Sequence, residues 1–409
     1  MTNFNLSNFN HFRYAGIGSR RITSKSSYLM MRFSCCMAFY GGVMASGGAD
    51  GSDTSFEVGA KIAYDALAKK LGLPEREYKH VLEVHLPWPT FNGRNKNPSE
   101  GYYHAESDAA LKMASKFHPA WDRLGRGPRA MMSRNCMQAM GSALDTPARF
   151  TICETPDGAY TAAMTSSKTG GTGQAIRVSD AYGIKVYNLK NPDHLKRVIS
   201  WIDDCEEKIY KKFGLKPKEL VDDFLSSFKG IKQHQTGNLV EMANRGEIDV
   251  LVHGSNCFHM NSGIAKEIRN TFPEAYQSFL KTPKGDKTKL GKIDCVTVER
   301  NGKPVTIVNA FVQYTWGRDP DVLYVDYEKI RSCFEAVSKQ FDRNVKIGIP
   351  RIGSGLGNGC WVTISNIINQ QMGNHNLVLV DLPSRELDLH NDTEMASPVV
   401  ESGDQMSLI

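Results

Sequence analysis

Residues 350–361 read Pro-Arg-Ile-Gly-Ser-Gly-Leu-Gly-Asn-Gly-Cys-Trp, which places glycines at 353, 355, 357 and 359 between a hydrophobic run and a helical one. Glycines this dense leave backbone N–H groups bare enough to wrap a diphosphate. A second loop, Val252-His253-Gly254-Ser255-Asn256-Cys257, also ends an apolar run, and Gly263-Ile264-Ala265 opens the helix after it. Asn256 at such a strand end is suited to hydrogen-bond ribose hydroxyls through its amide. His253 titrates near neutrality, so it is either an acid, base or nucleophile, or a satisfied strand-end histidine. Cys360 is either a thiolate activated by neighbouring N–H groups or a small packed residue. Two anion-receptive loops together suggest a ligand with two phosphates and sugars.

The N-terminal part carries three more glycine clusters. The first holds Gly16, Gly18, Ser19 and Arg20, the second Gly47, Gly48 and Asp50, and the third Gly170, Gly171, Thr172 and Gly173. Glycines, a hydroxyl and a cation are the ingredients of a phosphate turn, and clusters at successive strand ends converge on one sheet edge, where open sheets bind ligands. Arg134 and Asn135, with Gln138 one turn later, give a convergent polar helix face, and arginine suits phosphate bidentately. His118-Pro119 reads as a turn without chemistry. Lys281, Lys284, Lys287, Lys289 and Lys292 form a basic stretch, either a solvated loop or one that steers anions.

Positioning these groups requires alternating strands and helices. Strands are expected at 12–18, 42–46, 81–86, 150–154 and 185–189, with helices at 24–40 and 52–71. A charged helical stretch from about 195 to 235 reads as a connector. Beyond Thr236, strands are expected at 248–252, 293–299, 305–311, 346–349 and 377–380. The fold class is therefore α/β: an N-terminal Rossmann-like, doubly wound parallel sheet, then a three-layer α/β/α unit. At 409 residues the chain is long for one core. The expected division is 1–205, a connector at 206–235, a second unit at 236–383, and an acidic, disordered tail at 384–409.

The formal charge is +6, and the tail's six carboxylates against Arg385 account for −5 of it, so the rest carries +11. Such a surplus attracts phosphorylated ligands or nucleic acid without distinguishing them. Nine cysteines without Cys-x-x-Cys, and eleven histidines without His-Glu-x-x-His, suggest a reducing cytoplasm, no metal and no cofactor. The polar start lacks signal-peptide order, and residues 28–44 contain Arg32, Gly41 and Gly42, so no membrane span is expected. The expected location is cytoplasmic, the host cytoplasm if the source is viral.

Residues 236–382 resemble a macro domain, the ADP-ribose-binding α/β/α fold. The resemblance rests on Gly237-Asn238-Leu239, residues 253–257, Gly263-Ile264-Ala265, residues 350–361, and Val380-Asp381-Leu382-Pro383, in that order and spacing. It looks nearest to the branch with ADP-ribose-1''-phosphate phosphatases and de-ADP-ribosylating enzymes. The resemblance implies that Asn256 meets the distal ribose and that Gly263, Ile264 and Ala265 line a first phosphate loop. Gly353, Ser354, Gly355, Leu356 and Gly357 would form the second, with Asp381 and Leu382 near adenosine. Asn238 stands where many relatives have an aspartate that holds the adenine amino group, and His253 matches a histidine with a proposed catalytic role. Gly357 replaces an aspartate of de-ADP-ribosylating relatives, and Cys360 the aspartate of a Gly-Asp-Trp motif. Hydrolysis would then rely on His253, on Cys360, or on a water positioned by the ligand near Asn256.

Residues 12–189 resemble the SLOG superfamily, which joins DprA and the LOG phosphoribohydrolases. The matching segments are residues 16–20, residues 46–51, Arg134-Asn135 with Gln138, and residues 170–173. The resemblance implies that Gly18, Ser19, Gly47, Gly48, Arg134, Gly171, Thr172 and Gly173 surround a nucleotide. The LOG enzymes continue with a glutamate where this chain has Gln174-Ala175-Ile176-Arg177, which favours sensing over cleavage.

The expected function is binding and hydrolysis of an ADP-ribose derivative, the 1''-phosphate or an ADP-ribosyl adduct, with a second nucleotide site in the N-terminal part. Phage or microbial NAD metabolism or counter-defence would be the setting. One alternative is a non-catalytic sensor or sponge for NAD-derived signals, and another is a DprA-like nucleic-acid binder. Expected partners are ADP-ribose or a related nucleotide, an ADP-ribosylated macromolecule, and a second copy of the chain, but no membrane.

Overall fold

The structure, a computed structural model, describes residues 11–383; the expected acidic tail lies outside them. The first unit runs β1 (Phe12–Gly16), α1 (Ser24–Phe39), β2 (Gly42–Ser46), α2 (Ser52–Leu71), β3 (Leu82–Leu86), β4 (Tyr102–His104), α3 (Asp108–Phe117), α4 (Arg126–Met140), β5 (Phe150–Cys153), α5 (Thr172–Ala181), β6 (Lys185–Asn188), α6 (Pro192–Phe213) and α7 (Pro217–Ser227). Its strand order is β4-β3-β2-β1-β5-β6, with every pairing parallel. Alternation along β1 builds both faces: Tyr14 packs with α1, α2, α6 and α7, and Ala15 with α3, α4 and α5. This is the Rossmann-like, doubly wound sheet expected, and its order reverses between β1 and β5.

The expected connector is corrected. The division at 205/206 falls inside α6, where Cys205, Ile209 and Phe213 recur every four residues and are buried. Together with Val221 of α7 they complete the core over α1, so this helix pair is a wall of the first unit.

The second unit runs β7 (Gln233–Thr236), α8 (Leu239–Asn244), β8 (Val250–Asn256), α9 (Gly263–Thr271), α10 (Pro273–Lys281), β9 (Ile293–Arg300), β10 (Lys303–Gln313), α11 (Tyr327–Gln340), β11 (Ile347–Ile349), α12 (Trp361–Met372) and β12 (Leu377–Asp381). The order is β7-β12-β11-β8-β10-β9, parallel except for the β10/β9 pair. Val250 and Val252 pack under α11 and α12, while Leu251 packs under α8, α9 and α10, giving three layers. The polar edge strand β7, Gln-His-Gln-Thr, has no apolar alternation to announce it. Among the described residues no helix is long and apolar enough to cross a membrane.

Candidate functional site

The parallel strands of the second sheet end together, collecting the turn after β8, the loop after β11 and the end of β12 at one edge. Asn256 closes β8, and its Oδ1 accepts the amides of Phe258 and His259 at 2.8 and 2.9 Å. The turn fixes the amide plane, so a ribose contact falls to the Nδ2 donor. Gly263, Ile264 and Ala265 form the first turn of α9, whose N-cap Ser262 supplies no side-chain cap. Its first N–H groups are therefore open to an anion. Residues 353–359 curl on themselves: the Gly359 amide donates to the Gly353 carbonyl at 2.8 Å and the Asn358 amide to the Gly355 carbonyl at 2.9 Å. Gly353 sits at φ +75, where a side chain would be strained. Ser354 Oγ donates to the Arg351 carbonyl, and Leu356 is exposed at the loop tip.

The two residues with the sharpest catalytic expectation lie elsewhere. His253 is 0 % exposed inside the sheet, its Nε2 2.7 Å from Asn309 Oδ1. Burial pushes its pKa down to about 4 against the opposing hydrogen bond from Asn309, so the ring is neutral at pH 7 and sealed from the edge. Its Nε2 is paired and its Nδ1 is enclosed without a partner, so the ring lies within the strand rather than at the edge. Cys360 is also buried, with Sγ 3.1 Å from Ser27 Oγ of the first unit, and it packs in the core over α1. Its thiol serves the junction between units.

Two expected adenosine contacts are also engaged. Asn238 Oδ1 caps α8 by accepting the Val240 and Glu241 amides, and Nδ2 donates to Glu267 at 2.6 Å. The oxygen expected to meet an adenine amino group is thus occupied; Glu267, which sequence reasoning missed, is the carboxylate beside it. Asp381 is held by Arg351 at 2.9 to 3.2 Å and by His234 at 3.2 Å. Burial would raise this carboxyl, but Arg351 and His234 outweigh it and hold it below the usual range. Leu382 follows, exposed.

In the first unit Gly16, Ser46 and Cys153 end parallel strands, so the three glycine clusters share one edge. The first two clusters touch: Ser52 donates its amide and Oγ to the Ser19 carbonyl at 3.1 and 2.9 Å. Gly18 lies against Glu154 across the switch point, and the Ser19 amide donates to the Glu154 carbonyl at 2.8 Å. The amides of Gly47 and Ala49 both donate to Asp53 Oδ2 at 3.2 Å. That carboxylate also lies 3.5 Å from Arg134 Nη1. A Cβ at Gly47 would run into the Arg134 guanidinium, so a side chain there would displace the arginine that lies on the backbone. Asn135 Nδ2 donates to the Gly171 carbonyl at 2.8 Å, tying α4 to the third cluster. Gly170 and Gly171 are exposed, and α5, which begins at Thr172 with Gly173 buried behind it, has no side-chain cap.

Asp53, Glu57 and Glu154 were not singled out from sequence. Glu57 is buried and bound to Arg94, Lys61 and Tyr102, a structural network. Glu154 is buried at the switch point, and burial raises its carboxyl against the opposing effects of Ser26 and Lys190. Only its place after an apolar strand could have signalled it. A depression of about 440 Å³ lined by Arg76, Arg94, Lys96 and Glu100 lies to one side, sharing Arg94 with the surroundings of Gly48. Among the described residues no cluster of His, Cys, Asp and Glu is placed to share a metal ion.

No family model matches the chain. It is similar to an uncharacterized 17.5 kDa protein of the tk-vs intergenic region of Enterobacteria phage T4, at 29 % identity over 157 residues, 37 % of this chain and 96 % of that one. Among solved structures it is similar to the macrodomain of Thermus aquaticus DarG, at 22 % identity and TM-score 0.30, covering 37 % of this chain and 97 % of that one. Thermosipho africanus DarTG, solved in complex with ADP-ribose, is similar at 16 % identity and TM-score 0.31, covering 44 % and 51 %.

The two crevices are clasped to each other. Tyr327 OH donates to the Ile22 carbonyl at 2.7 Å and accepts the Cys360 amide at 2.9 Å. Thr23 bridges Gly359, and the Ser24 amide donates to the Asn358 carbonyl at 3.0 Å. The segment after the first glycine cluster is thereby bonded to the glycine loop of the second unit.

Proposed function

We propose that the second unit binds an ADP-ribose derivative at the C-terminal edge of its sheet, as a macro domain does. The first unit, in this reading, holds a second phosphate-bearing nucleotide at its switch point, as a SLOG domain does. The observation that carries the reading is Asn256: its oxygen is fixed by two backbone amides, which leaves Nδ2 as its donor at the end of β8, on the sheet edge that also carries an uncapped helix start and a glycine loop. A diphosphate followed by a ribose needs backbone N–H groups for its oxygens and an amide donor for the sugar hydroxyls beside them.

Binding without acid–base turnover is the form this geometry favours. His253 is sealed, Cys360 is committed to Ser27, and position 357 has no side chain. Any hydrolysis of a 1''-phosphate or an ADP-ribosyl adduct then falls to water positioned by the ligand and Asn256, so a sensor or sponge is the functional class. Calorimetric titration of the full chain with ADP-ribose, together with mass analysis after incubation with ADP-ribose-1''-phosphate, tests this. Heat of binding with unchanged substrate is expected. Product whose formation stops in His253→Ala would return the chain to the hydrolase class.

A further inference from the structure

The loop between β2 and α2 is surrounded by buried polar groups that lack partners. Ser46 Oγ, Asp50 Oδ1, Ser133 Oγ, Arg134 Nε and Gln138 Nε2 are each enclosed without a hydrogen bond. All five side chains are more than nine-tenths buried. Buried polar atoms left unmatched in this number, on one loop and the helix facing it, are the imprint of an occupant that supplies both donors and acceptors. Four arginines lie around the same loop. Arg134 lies on Gly47, the Arg94 side chain packs against Gly48, and the exposed Arg20 acts on both Asp50 and Asp53. The fourth comes from the other unit: Arg331, on α11, places Nη2 2.9 Å from Asp50 Oδ2. Only one oxygen of Asp50 is used in that pair.

We propose that the nucleotide site of the first unit is composite, with Arg331 of the second unit binding the phosphate end of the ligand beside Arg20 and Arg134. This rests on the nucleotide reading of the first unit given above. Asp50 then acts as a placeholder. It neutralises Arg331 while the site is empty and yields it to a phosphate, which offers more acceptor oxygens in the same direction. Arg331 is held ready by Gln370, whose Oε1 accepts from Nη1 at 2.8 Å. Arg331 lies one turn along α11 from Tyr327, which bonds both Ile22 and Cys360, so the arginine that reads the ligand sits on the element that joins the units.

The test is titration of the full chain with inorganic pyrophosphate, reading the change between the parent and variants of the first site, to which the other crevice contributes equally. Arg331→Ala should weaken binding by about tenfold or more, the worth of one charge-assisted hydrogen bond. Arg331→Lys should recover part of the loss. Asp50→Asn keeps the arginine but removes its competitor, so it should tighten binding; this variant carries the test if Arg331→Ala fails to fold. Unchanged affinity in a folded Arg331→Ala, with binding lost in Arg134→Ala, would overturn the composite site while leaving the nucleotide reading standing. Equal or weaker binding in a folded Asp50→Asn would overturn it as well. Absence of binding before either substitution is made would remove the nucleotide reading, and this proposal with it.

Discussion

His253→Gln separates a buried structural histidine from a catalytic one. The ring is fully enclosed and donates from Nε2 to Asn309, and glutamine offers an amide donor of similar reach. Burial pushes the folded pKa to about 4 against an ordinary value of 6.5. Between those values the unfolded chain binds a proton that the folded chain does not. The contribution is therefore fully present above pH 6.5 and is lost as pH falls towards 4. With about 1.4 kcal/mol for each tenfold difference in proton affinity, the loss from pH 7.5 to 4.5 is about 2.5 kcal/mol. The assay is urea unfolding of parent and variant at several pH values, taking the difference between them so that other titrating groups cancel. The parent should lose about 2.5 kcal/mol more than His253→Gln across that range, and the variant should bind ADP-ribose like the parent. Parallel pH profiles would refute the sealed histidine and restore it as a candidate acid or base.

Asn256→Asp keeps the oxygen that accepts the Phe258 and His259 amides but removes the donor. Its melting temperature should match the parent, while calorimetry should find ADP-ribose binding weakened by about tenfold or more. Cys360 should resist iodoacetamide in the folded chain and react on denaturation, since its thiol is packed against Ser27; rapid labelling of the native protein, read by mass, would contradict that placement. Gly47→Ala should lose about 1–3 kcal/mol in denaturant unfolding, because the added methyl must move the Arg134 guanidinium. The same variant should lose pyrophosphate binding at the first unit, and retention of both properties would show that Arg134 does not rest on that loop.

Elements with strong apolar patterning were legible in the sequence. β2 and α2 begin and end where expected because Gly41-Gly42 and Gly72 punctuate them and hydrophobic periodicity fills them. β4 and β7 were missed because edge strands of three and four residues are too short to show a period, and β7 is polar throughout. The connector failed for a different reason. Its charged face was visible, but the buried stripe Cys205, Ile209 and Phe213 has meaning only once α1 is there to receive it. Loops at the strand ends were legible by residue type, whereas side-chain commitments were not. Nothing in the spacing announces that Asn238 caps a helix, that Asp381 pairs with Arg351, or that Asp53 takes the amides of Gly47 and Ala49.

Glycine density illustrates why. A glycine-rich loop at a strand end reads as a cradle for phosphate because it bares backbone N–H groups. The same lack of a side chain also lets two backbones or a guanidinium approach. At Gly355 the first use is open, since the residue is exposed at the loop tip. At Gly359 the second prevails: a Cβ would meet Val325, Ile364 and the Gly353 carbonyl, and the backbone bridges Thr23 of the other unit. Glycines four residues apart in one loop thus face a crevice and a junction. The same residue type thus leaves one position of this loop exposed and lets another contact the second unit's neighbour.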